Sequence, residues 1–425
     1  MREMKDSGIK WIGVIPSAWR TARVKNVAET MQSGGTPDSS NDTFYVDIEG
    51  GIPWVAIADM STTPYVKDTN KHISEEGRKS KNLIVFEPGT ILYAMYASVG
   101  KVSELAVPAT INQALLAIVL NSSIDGSFFK YALNAWEPYI ISESNGTTQF
   151  NLNANKVANL CFPMPNRLEQ ESIVRYLDTK CAQVDTLIAN VQAQIEKLKA
   201  YKQSLITEVV TKGLAPTVPM KDSGVEWIGE IPAHWEIKRG KVLFGESDAR
   251  STDGSEELLT VSQYTGITPR SQKNVNMFEA LTLEGYKLCD VGDIAANTMW
   301  LWAGAIGVSA YSGVISPSYN VYRQKAENFV PSYLDCLLRA PMLVQEYASR
   351  STGIRASRLR LYPKDFLDIM FPVPPVDEQQ DIMSVLSEKF AAVDKLIAIK
   401  KSKIEKLEQY KKSLIYEYVT GKKEA

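Results

Sequence analysis

A chain of 425 residues with 44% apolar content can bury several cores, and no stretch approaches the roughly 18 apolar residues of a membrane-spanning helix. Four scattered cysteines without a C-x-x-C pair, and two histidines in different halves, leave little material for a metal cage or a Ser-His-Asp triad. A formal charge of −2 argues against a chain held to nucleic acid by bulk charge, so any DNA contact must use local basic patches or a partner's charge. The start, MREMKDSG, carries no apolar targeting segment, and the expected compartment is the cytoplasm.

In chain order, the opening 4–25 (MKDSGIKWIGVIPSAWRTARVK) returns at 220–241 (MKDSGVEWIGEIPAHWEIKRGK), with 13 of 22 positions identical. A variable stretch follows, with apolar runs at 52–58, 83–86, 90–96 and 114–120 that read as strands between turn signals such as Ser33-Gly34-Gly35-Thr36-Pro37 and Glu87-Pro88-Gly89. A short helix is expected over 127–136. The stretch closes with the polar loop Asn145-Gly146-Thr147-Thr148-Gln149-Phe150 and an apolar strand ending in Phe162-Pro163.

From Leu177, apolar residues fall at Cys181, Val184, Ile188, Val191, Ile195, Leu198, Leu205 and Val209, an alternating four-three spacing interrupted only by Lys202. Residues 169–211 therefore predict a helical rod of about 64 Å, opened by an Asn166-x-x-Glu169 capping box and stopped near Gly213, ahead of Pro216 and Pro219. The second variable stretch predicts strands at 258–262, 292–294, 305–308 and 321–323 and a helix over 331–338. Its closing loop, Ser351-Thr352-Gly353-Ile354-Arg355 with Arg358 and Arg360, is basic where the first is neutral, and again leads to a Phe-Pro strand at Phe371-Pro372. Residues 378–420 repeat the rod with 23 of 43 positions identical; its seam is Leu386, Phe390, Val393, Ile397, Ile404, Leu407, Leu414 and Tyr418, interrupted by Lys400 and Lys411 and opened by Asp377-x-x-Gln380.

A rod with one apolar seam needs a partner, and the economical partner is the other rod. The positions expected to pair are Leu177, Val184, Ile188, Ile195, Leu198 and Leu205 with Leu386, Val393, Ile397, Ile404, Leu407 and Leu414. The alternative is that both rods belong to a larger helical core or mediate homodimerisation. The fold expected is α+β, with two mixed α/β domains separated by two long antiparallel helices in an internal repeat of pseudo-two-fold character. Its segments would be a first domain over 1–165, a first rod over 166–213, a second domain over 214–375 and a second rod over 376–425.

Asn, Gln and Arg are the side chains that bond two points on a purine edge in the major groove. The candidate DNA contacts are therefore Asn145, Thr147, Thr148, Gln149 and Lys101 in the first half, and Arg355, Arg358 and Arg360 in the second. The rings of Trp54, Tyr93 and Tyr96, and of Trp300 and Trp302, are candidates for base stacking, the last two as neighbours on one face of a strand.

The MKDSG-x-x-WIG-x-IP-x-x-W opening of each half resembles the specificity subunits of type I restriction-modification systems. So do the segments that lead into the rods, P-x-x-x-EQ-x-x-I-x-x-x-L at both 165–177 and 374–386, and the S-T-G-I-R-x-x-R-L run at 351–359. The resemblance covers essentially the whole chain. It implies two target-recognition domains, each reading one half of a split asymmetric site in double-stranded DNA. It also implies two adenine methyltransferase subunits docked by the rods, restriction subunits that complete the complex, and a prokaryotic cytoplasm. No catalytic residue, metal or cofactor is expected on this chain; S-adenosylmethionine, ATP and Mg belong to the partners. The sequence agrees, since it lacks a (D/N/S)-P-P-(Y/F) methyltransferase loop and a G-x-x-x-x-G-K-[ST] phosphate loop. The competing readings are a coiled-coil interaction scaffold without DNA specificity and an enzyme with an unrecognised active site, against which stands the lack of carboxylates, histidines or cysteines clustered at catalytic spacing.

Overall fold

A computed structural model describes residues 2–47, 50–60, 64–96, 99–136, 139, 152–215, 217–273, 282–353 and 359–425. The chain divides into two compact units, Met1–Val191 with Ser402–Ala425, and Gln192–Lys401. Each unit thus holds one variable domain and a portion of both rods.

In the first unit the elements are β1 (Arg20–Arg23), β2 (Ala28–Ser33), β3 (Ile52–Val55), β4 (Tyr65–Val66), β5 (Ile91–Ala94), β6 (Val102–Leu105), β7 (Leu115–Leu120), α1 (Gly126–Ala135) and β8 (Cys161–Met164). The main sheet has the order β2-β7-β5-β6-β4, antiparallel except where β6 meets β4. The first rod, α2, spans Arg167–Lys212 and continues into the second unit.

The second unit contains β9 (Glu236–Arg239), β10 (Phe244–Ser247), β11 (Leu259–Ser262), β12 (Gly266–Pro269), β13 (Ile294–Ala296), β14 (Ile306–Val308), β15 (Asn320–Gln324), α3 (Pro331–Leu338), α4 (Pro341–Arg350) and β16 (Met370–Val373). Its main sheet, β10-β15-β13-β14, reproduces the first four strands of its counterpart. The second rod, α5, spans Val376–Val419.

The repeated segments explain how dissimilar inserts share one frame. Each opening folds back on itself, pairing Met4–Asp6 with Val14–Pro16 and Met220–Asp222 with Glu230–Pro232. The following strand then pairs with the closing Phe-Pro strand, β1 with β8 and β9 with β16, in the same register: Arg20 faces Met164 as Glu236 faces Val373. Every insert therefore begins and ends on one two-stranded clasp, and what lies between is free to differ.

Both cores run from the variable domain into the rods. Trp19, Phe128, Phe129, Trp136 and Phe162 are buried with Leu177, Cys181, Leu414 and Tyr418; Trp235, Phe244, Phe366 and Phe371 are buried with Leu205, Val209, Ile382 and Leu386. Full burial of such a side chain contributes about 1.5–3 kcal/mol, so the rods are held by the domains as well as by each other.

Within each unit the rod segments pack antiparallel. Tyr176 stacks on Tyr418 with ring centroids 4.3 Å apart, and Lys411 Nζ lies 2.7 Å from both oxygens of Asp185. In the second unit Lys202 Nζ reaches Asp394 at 2.8 and 2.9 Å, and Lys400 Nζ reaches Gln194 at 2.6 Å. The residues that interrupt the heptads are thus answered across the seam. Lys202 and Lys411 occupy equivalent places in the repeat, as do Asp394 and Asp185, so one ion pair occurs twice.

The Glu-Gln pair that opens each rod is a structural clamp. Trp19 Nε1 donates to Glu169 at 3.1 Å and Trp235 Nε1 to Glu378 at 3.0 Å. The buried amide of Gln170 donates to the Pro165 carbonyl and accepts from the Asp125 N–H that caps α1. Gln379 repeats this, donating to the carbonyls of Pro374 and Asn328 and accepting from the N–H of Val330, the residue that precedes α3. Gln170→Leu or Gln379→Leu is expected to cost about 1–3 kcal/mol, because buried backbone groups lose their partners. Urea denaturation measures it, and an unchanged midpoint would refute the clamp.

Several local expectations need correction. The capping box at Asn166 is half formed: Asn166 Oδ1 accepts from the Glu169 N–H at 3.0 Å, but the Glu169 carboxylate serves Trp19 instead. Asp377 is no cap, because α5 begins at Val376 and Asp377 lies in its first turn, with Gln379 N–H bonding the Pro375 carbonyl. Residues 83–86 form no strand; only Phe86 bridges to Ala109. Residues 57–60 leave β3 for a 3-10 turn, and the strand expected at 292–294 starts only at Ile294, after Gly292 turns the chain at φ +91°. Trp300-Leu301-Trp302 is likewise no strand but enters a 3-10 turn over Leu301–Ala303, capped by Gly304 at φ +86°.

Candidate nucleic-acid interface

Asn145, Thr147, Thr148, Gln149, Arg355 and Arg358 lie outside the described residues. Two candidates can be placed. Lys101 is half-buried at the end of the turn between β5 and β6, where its carbonyl accepts from the Ala94 N–H at 2.9 Å. Arg360 is exposed, and its backbone exchanges two hydrogen bonds of 3.0 Å with Thr352, closing the base of the basic loop. That loop leaves the end of α4 directly.

Among the aromatic candidates, Trp54 and Tyr93 are core, at 6% and 0% exposure, which removes them from any surface role. Tyr96 is 37% exposed in the same β5–β6 turn as Lys101. Trp300 is 48% exposed, and its ring stacks on Trp302 with centroids 5.7 Å apart and planes inclined by 24°.

The expected pairing residues all lie in the rods. Leu177, Val184, Ile195, Leu205, Leu386, Val393 and Leu414 are buried, and Ile188, Leu198, Ile397, Ile404 and Leu407 are half-buried. Outside the seam, Leu187 and Leu396 are 48% and 46% exposed, and Tyr201 and Tyr410 are 49% and 54% exposed. Each residue precedes a seam position, and each type is kept at the equivalent place in both copies. Along the chain Leu187 stands two residues from Asp185 and Tyr410 next to Lys411 in the first unit, as Leu396 stands two residues from Asp394 and Tyr201 next to Lys202 in the second. The heptad count passes over these residues because they are off the seam. The signal for them is an apolar residue retained twice where the seam has no use for it.

Burial pushes the Cys289 thiol up to about 12 and Cys336 to about 11, and raises Cys181, so these thiols stay protonated. Burial also raises Tyr131, whose hydroxyl donates to Asp178 at 2.7 Å. Glu75 is held down to about 2 by Arg78 in an exposed pair. Among the described residues no group of three His, Cys, Asp or Glu side chains is placed to hold a metal ion, and no helix is long and apolar enough to cross a membrane.

Comparison with known proteins gives a consistent picture. Residues 16–197 match the family model for the type I restriction modification DNA specificity domain. The chain is 24% identical over 445 residues to the putative type I restriction enzyme MjaX specificity subunit of Methanocaldococcus jannaschii, covering 97% of this chain and 95% of that one. It is 23% identical to the MjaVIII specificity subunit of the same organism, covering 96% and 93%. The EcoBI specificity subunit of Escherichia coli is 22% identical, covering 93% and 84%. A solved structure from work on complex assembly and conformational transition of the type I R-M system shares the fold, with a TM-score of 0.64 at 16% identity over 96% of this chain and 99% of that one.

Proposed function

We propose that the chain is a type I restriction-modification specificity subunit and that it reads a split, asymmetric site in double-stranded DNA, one variable domain per half-site. The observation that carries this reading is a clasp of one register and a rod with one ion pair, each occurring twice around two inserts of different surface chemistry. The links between equivalent strands carry Tyr96 and Lys101 in one domain and Trp300 and Trp302 in the other. A scaffold that binds one kind of partner has no need for two dissimilar readers on one frame.

The specificity subunit is not an enzyme. Methyl transfer and strand cleavage fall to partners, two adenine methyltransferase subunits and the restriction subunits, which bring S-adenosylmethionine, ATP and Mg in a prokaryotic cytoplasm. The Leu–Tyr patches on the rods, present once in each unit, suit two copies of the same methyltransferase subunit. Partner subunits closing around the duplex also supply phosphate contacts that a chain of net charge −2 does not provide alone.

Expression with its methyltransferase subunit, in a host without adenine methylation, followed by single-molecule mapping of N6-methyladenine, tests the function. Two short half-sites at a fixed gap are the expected result, and a soluble complex that methylates no motif would favour the scaffold. Removing about one heptad from each rod should shorten the gap and leave both half-sites unchanged. A fixed gap, or altered half-sites, would rule out the rods as a ruler.

A further inference from the structure

The turn between β13 and β14, residues 297–305, is braced by hydrogen bonds and by the core residue Leu301, and it holds two indole rings that lie outside the core. Asn297 Oδ1 accepts from the Met299 N–H at 3.2 Å while its Nδ2 donates to the Tyr319 hydroxyl at 2.9 Å. Thr298 Oγ1 donates to the Ser318 carbonyl at 2.7 Å, and Trp302 Nε1 to the Met299 carbonyl at 3.0 Å. Leu301 is fully buried and anchors the turn. These bonds fix Trp300, stacked on Trp302, in a half-exposed position beside Met299, itself 40% exposed. A single exposed apolar residue is ordinary; an exposed ring stacked on a second, in a turn held by these bonds, is a preformed contact surface.

Two observations point to its occupant. By sheet order, β13 and β14 correspond to β5 and β6, so this turn is the counterpart of the one carrying Tyr96 and Lys101. The same turn packs on α4, with Gly304 against Val344, and α4 runs straight into the Thr352–Arg360 loop base. The aromatic turn packs on the same helix that leads to the Thr352–Arg360 pair.

We propose that Trp300, backed by Trp302, is a specificity-determining contact to the second DNA half-site, where the indole packs on thymine methyl groups and deoxyribose. This rests on the half-site reading above. Tryptophan suits the task because a large rigid ring loses little conformational freedom on binding. Arg360, exposed where it pairs with Thr352 after α4, offers a cation for phosphate contact.

The test uses the full chain in complex with its methyltransferase subunit, on duplexes with either half-site altered. Trp300→Ala is expected to weaken cognate binding by about tenfold or more, and to erode discrimination at the second half-site while the first is read as before. Trp300→Phe should recover most of the affinity. Oxidative footprinting of the unaltered complex gives an independent readout: Trp300 should be protected by cognate DNA. Unchanged motif and affinity in Trp300→Ala, or full oxidation of Trp300 in the DNA complex, would overturn the proposal while leaving a split motif intact. A wild-type complex with no split motif would instead overturn the half-site reading on which it depends.

Discussion

Reversing Lys202 and Lys411 to aspartate together is expected to lower stability by about 2–4 kcal/mol, and adding Asp394→Lys and Asp185→Lys should restore most of it. Lys202 and Lys411 are 24% and 30% exposed, and their aspartate partners 60% and 55%, so each pair taken alone contributes only about 1 kcal/mol or less. The larger effect comes from replacing attraction by repulsion while leaving the alkyl stems unpacked. Lys202 lies over the Phe390 ring at 4.6 Å, and an aspartate loses that contact too. Chemical denaturation of the four charge combinations measures it. Failure of the double swap to recover stability would mean that the lysines act by packing alone.

These pairs also account for why the seam keeps lysines at all. A leucine at either place would bury more apolar surface, but a continuous apolar stripe tolerates sliding by a heptad and a parallel arrangement. Lys202 opposite Asp394, Lys411 opposite Asp185 and Lys400 opposite Gln194 are satisfied in one register and one direction only.

The rods were legible because a seven-residue spacing is local and long, and Gly213, at φ +68°, ends the first one where the sequence places the stop. Strands β5 and β7 and helices α1 and α3 also lie where apolar runs and turn signals put them. What could not be read locally was set by distant partners. Asp394 is 192 residues from Lys202, and from the sequence that lysine is only a break in a pattern. Residues 83–86 are apolar enough for a strand, yet Leu83 is used in a small core with Trp54 and Ile73. The Trp300-Leu301-Trp302 alternation misleads because one residue in and two out also describes a turn, and Asn297 and Gly304 decide for the turn. Among the DNA candidates, Lys101 and Arg360 fall at turns, whereas the remainder lie outside the described residues.

The rod patches carry the second large expectation. Leu187→Arg with Leu396→Arg should abolish detectable methylation and reduce binding of the methyltransferase subunit by about 100-fold or more at each patch. Burial of one leucine is worth about 1.5–3 kcal/mol, and an arginine forced into an apolar contact adds a desolvation cost. Both leucines are nearly half exposed and off the seam, so the folded chain should tolerate the change, which far-ultraviolet circular dichroism checks. The single variants separate two arrangements. If each patch takes its own copy, Leu187→Arg alone should leave a complex with one methyltransferase subunit, and Leu396→Arg alone the same, as read by native mass spectrometry. If one subunit bridged both patches, either single change would weaken the whole assembly in one step. A double variant that still bound two copies and methylated at the normal rate would move the docking surface away from the rods, and the retention of Leu and Tyr at four exposed positions would need another cause.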